Sequence, residues 1–173
     1  MSKAVLALLI GSAMSASVIE AQSPTPPAAA PPPSNLAQLM RGTLYPESNV
    51  VFAAQDVNPA DVPHAKDPSM ATDPLESSYG KWQAVENNAL AIAEVADLLN
   101  VPGRKCANGL DVPLKNPDWA KFVQELRDAG MTAYAAAQTK NQDKMIDAAG
   151  VMTAACLHCH VKYRERKIAD RCK

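Results

Sequence analysis

Residues 76–100, ESSYGKWQAVENNALAIAEVADLLN, decide the fold class. Trp82, Val85, Ala89, Ile92, Ala96 and Leu99 follow one another at steps of three and four, which draws one apolar stripe along a helix. Asn100, Pro102 and Gly103 supply the stop signal. A strand would need apolar residues alternating with period two, and no segment of the chain alternates for long enough.

The same period extends outward on both sides. Toward the C-terminus, Asn116-Pro117-Asp118 opens a helix with a capping side chain, a first-turn proline and an acidic residue. Its stripe is Trp119, Phe122, Val123, Leu126, Gly130, Ala133 and Ala137. A last helix is expected from near Asn141 and Asp143, through Met145, Ile146, Ala149, Met152, Cys156 and Tyr163, to about Lys167. Toward the N-terminus, residues 35–56 place Leu36, Leu39, Met40 and Leu44 at helical spacing. Pro46 predicts a kink or break there, after which Val50, Val51 and Ala54 resume the stripe. Residues 57–75 hold Pro59, Pro63, Pro68 and Pro74 with little apolar content and read as a loop. Four amphipathic segments with connections of modest length predict an all-α protein, an antiparallel four-helix bundle.

The N-terminal residues read differently. Lys3 gives a positive n-region, residues 4–10 a short apolar run, and Ser12, Ala13, Ser15 and Ala16 the small residues of a cleavage region. Residues 1–21 are therefore expected to be a signal peptide, with an uncleaved N-terminal anchor as the alternative. The apolar run is too short to cross a bilayer, so no integral membrane span is expected after cleavage. Residues 22–34, QSPTPPAAAPPPS, form a Pro/Ala-rich linker, and residues 35–173 form the folded domain. A formal net charge of −1 argues against nucleic-acid binding and against a polybasic membrane anchor. Aromatic residues make up only 5% of the chain, so a bulky cofactor would help to fill its core.

Chemistry concentrates in Cys156-Leu157-His158-Cys159-His160, the C-x-x-C-H pattern of covalent haem attachment. On a helix, thiols three residues apart share a face and can both reach the vinyl groups of one porphyrin. His160, four residues after Cys156, can place an imidazole nitrogen on the iron. Three other readings compete. A thioredoxin-like redox pair needs a βαβ context that is missing here. A zinc site needs a second knuckle, whereas Cys106 and Cys172 are isolated. A disulfide between cysteines three apart in a regular helix has poor geometry. One covalently attached haem c is the expected cofactor.

Cys156-x-x-Cys159-His160-x-x-Tyr163-Arg164 on the last helix of an exported helical bundle resembles the class II cytochromes c, the cytochrome c′ and c556 group. The resemblance implies a haem between helices near one end of the bundle, with His160 as proximal ligand. Arg164 would lie near the proximal face and Tyr163 would pack beside it; a core-edge tyrosine and a solvated arginine are the simpler alternatives. The distal residue in this family comes from the first helix, and matching Asn35-Leu36-Ala37-Gln38-Leu39-Met40 to that pattern puts Met40 there. The family's usual upstream aromatic-arginine pair is replaced by Asn35-Leu36. A methionine thioether suits iron and raises the haem potential, so Met40 is the favoured distal ligand, with a flexible core filler as the alternative. Met70, Met131, Met145 and Met152 are rival methionines. Met152 shares a helix with His160 and so cannot easily reach the opposite haem face. His64, in the proline-rich loop, is a weaker distal candidate. His158 is expected to point away from the iron.

Cys106 and Cys172 fall at the same end of an up-down-up-down bundle, and an oxidising compartment would favour a disulfide between them. Such a bridge would close a loop of roughly 65 residues, worth about 3–4 kcal/mol; two free or intermolecular thiols are the alternative. The expected function is electron transfer in the periplasm by a monohaem cytochrome with a His/Met-ligated haem, serving redox partner proteins. It is not expected to be an enzyme, since no catalytic triad, paired acid–base site or phosphate loop accompanies the motif. The rival is a cytochrome c′-type five-coordinate haem protein that binds NO or CO. A homodimer is one assembly that the resemblance allows.

Overall fold

Asn35 opens the first helix reciprocally: its side chain accepts the Gln38 N–H at 2.9 Å, and the Gln38 side chain accepts the Asn35 N–H at 2.9 Å. The structure, a computed structural model, describes residues 30–164 and residue 172. The sequence expectations for the signal peptide and most of the linker lie outside the described residues. So does the extension of the last helix to Lys167.

The first helix comprises α1 (Leu36–Leu39), a single π turn (Met40–Leu44) and α2 (Tyr45–Asp56). Of the kink or break expected at Pro46, the break does not occur; the helix continues through a local distortion, the π turn. Proline lacks an N–H, and in α register its ring would strike the carbonyl four residues back. The chain avoids this by widening one turn, so that the Tyr45 N–H donates to the Met40 carbonyl five residues earlier.

The proline-rich connection also has local order. Asn58, Asp67 and Asp73 each precede a proline, and each side chain accepts the N–H two residues on. This seeds 3-10 turns at Pro59–Asp61, Pro68–Met70 and Pro74–Glu76. Helix α3 (Lys81–Ala96) starts after Gly80 rather than at residue 76 and runs into a 3-10 turn, Asp97–Asn100. At Gly80 a Cβ would run into the Leu75 carbonyl, so only glycine fits this tight entry.

Helix α4 (Pro117–Gln138) and helix α5 (Gln142–Tyr163) complete the helices of the described residues. Asn141 caps α5 by accepting the Lys144 N–H at 3.0 Å. Asn116 does not cap α4 with its side chain, contrary to the sequence reading; its amide donates instead to the Tyr163 hydroxyl at 3.3 Å. Among the described residues there is no strand, only an isolated bridge between Lys105 and Asp111. The fold is all-α. No helix among the described residues is long and apolar enough to cross a membrane.

Helix α4 packs against α3 and α5, and α2 packs against the same two helices. Small residues set the closest approach. A Cβ at Gly130 would sit 2.8 Å from the Ala93 nitrogen and 2.9 Å from the Ala89 carbonyl oxygen, so α3 and α4 meet backbone to backbone there. Buried Ala133, Ala137 and Ala149 continue this small-residue packing, with Met145 filling between them.

At the other end the loop of residues 101–116 is fastened twice. Buried Arg104 donates from Nη1 to the Ser34 carbonyl at 2.7 Å and to Ser34 Oγ at 2.8 Å, and from Nε to the Leu98 carbonyl at 3.2 Å. Cys106 and Cys172 are joined in a disulfide, with their Cα atoms 4.8 Å apart.

Candidate functional site

Where the alanines give way to larger side chains, the helices enclose a cavity of about 610 Å³, within the range of roughly 300–1,000 Å³ typical of ligand pockets. Trp119, Phe122, Val123 and Leu126 line it from the first half of α4. Met152, Ala155, Cys156, Cys159, His160 and Tyr163 line it from the second half of α5. The third wall is the first helix, with Leu36, Met40, Leu44 and Ser48, while Ile92 and Leu99 close it from α3 and the turn that follows.

Helical spacing explains the α5 wall. Met152, Cys156, Cys159 and Tyr163 are separated by four, three and four residues, which keeps them on one face, with His160 beside them. The intervening His158 and Leu157 face solvent. His158 Nδ1 lies 3.1 Å from Glu125 Oε2, away from the cavity wall.

The structure thus brings Met40, Cys156, Cys159, His160, Tyr163, Arg164 and the disulfide's Cys172 to one cavity. It does not bring His64 or Met70 there. His64 is exposed, with Nδ1 at 3.0 Å from the Ser77 carbonyl oxygen, and Met70 is 76% exposed. Met131 is also exposed and off the wall, and buried Met145 does not reach it. Met152 lines the cavity from the helix that carries His160, so Met40 is the methionine facing it from another helix.

Burial raises the Cys156 thiol above its ordinary pKa. Cys159 is pushed up to about 11, first by burial and then by the nearby Cys156 and Glu125. Both sulfurs are therefore neutral thiols at physiological pH. This is unlike the activated thiolate of a redox-exchange pair.

The end of α5 is held against the start of α4. The Tyr163 hydroxyl donates to Asp118 Oδ1 at 2.5 Å, and Lys162 pairs with Asp118 Oδ2. Edge-on contacts with Trp119 and Phe122, at centroid distances of 5.0 and 6.2 Å, fix the Tyr163 ring. Sequence reading missed Asp118 in this role, because its position fits an ordinary first-turn acid.

Two features describe what the cavity would accept. Its charged lining residues are Arg41 and Arg164, with no carboxylate among the described residues of the wall. The indole N–H of Trp119 is buried without an acceptor among the described residues, an unusual state for a buried donor. Both suit an apolar body that carries anionic or acceptor groups. Comparison with family models, curated proteins and solved structures returns no match.

Proposed function

We propose that the cavity holds one covalently attached haem and that the protein is an exported, periplasmic electron carrier of the class II cytochrome c type. In this reading the helices form an antiparallel four-helix bundle, and the protein exchanges electrons with partner proteins rather than acting as an enzyme. The observation that carries it is the placement of Cys156, Cys159 and His160 on the wall of a large apolar cavity with Met40 on a facing helix.

The residues fit the group. Each cysteine thiol would add across a vinyl group: a carbon–sulfur bond forms, the vinyl double bond becomes single, and the thiol proton passes to the neighbouring carbon. Neutral, buried thiols already hold that proton. His160 would hold the iron through an imidazole nitrogen and Met40 through its thioether, a pairing that would favour the ferrous state more than two imidazoles. Arg41 and Arg164 suit the two propionate carboxylates of a porphyrin. When bound, haem supplies one-electron chemistry between ferric and ferrous iron. The chain's part is to hold it, exclude water with Trp119, Phe122 and Leu126, and limit rearrangement between the two states.

A zinc reading has fewer donors to draw on, since Cys106 and Cys172 are bonded to each other. The test is protein matured in cells that carry the c-type attachment machinery. The denatured polypeptide should weigh one haem more than its amino acids, and its native ferric spectrum should be low-spin with a methionine–iron charge-transfer band. A polypeptide of unmodified mass would defeat the proposal. A high-spin five-coordinate spectrum would favour a gas-binding role instead.

A further inference from the structure

The π turn in the first helix changes which face Met40 occupies. In an unbroken α-helix each residue advances about 100°, so Met40 would stand about 80° away from Ser48 and within about 20° of Val51. Val51 is fully buried with Val50 and Ala54, the residues by which α2 joins the core, and none of the three lines the cavity. In unbroken register Met40 would therefore be an ordinary core methionine on the Val51 stripe. Met40, Leu44 and Ser48 instead share the cavity wall. The extra residue taken up by the π turn accounts for this: it withdraws about 100° of rotation between Met40 and α2, bringing Met40 nearly into line with Ser48.

Two residues encode the turn. Pro46 cannot donate to a helical carbonyl and makes the α register costly. Gly42, inside the turn, lowers the local preference for regular helix. Downstream, α2 is fixed by its buried valines and by Gln142 Nε2, which donates to the carbonyls of Ala54 and Gln55 at 3.3 and 3.2 Å. With α2 anchored, the slipped register is expressed as a rotation of the segment that carries Met40.

We propose that Pro46 is a positioning residue: acting with Gly42 through the π turn, it aims the Met40 thioether at the iron. The inference rests on the haem reading above. Its test is Pro46→Ala in the holoprotein matured with haem, with Gly42→Ala as a milder companion, because a Cβ there meets nothing within 4 Å. Met40→Ala supplies the reference spectrum for a lost ligand.

In the Pro46→Ala protein, haem mass and helical circular dichroism should match the parent, because attachment depends on α5. The ferric spectrum should lose most of its low-spin methionine-ligated form and approach that of Met40→Ala, and Gly42→Ala should move part of the way. A parent-like low-spin spectrum in Pro46→Ala would overturn the inference alone. A high-spin parent would also overturn it while leaving covalent attachment intact, and a parent without haem would remove both readings.

Discussion

At the scale of single residues, the most informative groups are the two thiols. Cys159 in the folded, haem-free chain keeps its proton until near pH 11, whereas an ordinary cysteine ionises near 9. As pH rises through that interval, the unfolded chain releases this proton first. The Cys159 contribution therefore makes folding stability fall between about pH 9 and pH 11 and leaves it flat below. Denaturation of the haem-free chain against pH, with Cys159→Ser as reference, should show this extra alkaline loss only in the parent. The shared face of Cys156, Cys159 and His160 was legible in the sequence because helical spacing is set by local geometry alone. Asn116 was misread for the converse reason. It has the chemistry of a cap, but the Tyr163 hydroxyl, distant in sequence, takes its amide.

At the scale of elements, the contact between α3 and α4 depends on the absence of a side chain at Gly130. Gly130→Ala would improve helix propensity by about 1 kcal/mol in isolation. Here the added methyl meets the Ala93 nitrogen at 2.8 Å, and neither backbone can yield without moving a helix. The net expectation is a loss of about 1–3 kcal/mol, read as a lower urea midpoint with little change in slope. Glycine in a helical stripe gave a weak hint of this, since a regular period with one missing side chain reads equally as a flaw or a contact. The first helix was legible in its period but not in its continuity. Pro46 signals a break in sequence, and only packing of the residues after it makes a π turn better than an end. The proline-rich connection carried a clearer signal in Asn58-Pro59, Asp67-Pro68 and Asp73-Pro74, each an acceptor side chain before a fixed φ.

At the scale of the whole molecule, the Cys106–Cys172 bridge spans 66 residues of sequence and ties the chain beyond α5 to the loop before α4. Cross-linking so long a segment restricts the unfolded chain by about 4 kcal/mol. Cys106→Ser together with Cys172→Ser should lower stability by roughly that amount, measured by denaturant unfolding without reductant. Adding reductant to the parent should produce a similar loss, whereas a parent insensitive to reductant would show that the bridge adds little to stability. Because Cys172 also lines the cavity, the double variant should loosen that end first, seen as faster amide exchange near Tyr163 than near Met145.

The order of residues along the chain was enough to determine helical class, the position of the long helices and the shared face of Cys156, Cys159 and Tyr163. These follow from short-range periodicity, which a chain expresses before it packs. Tertiary structure alone decided that Asp118 secures Tyr163, that the Tyr163 hydroxyl takes the Asn116 amide, and that His64 and Met70 stay outside. Each of those outcomes depends on which distant segment occupies a given space, and excluded volume between helices has no signature in local sequence.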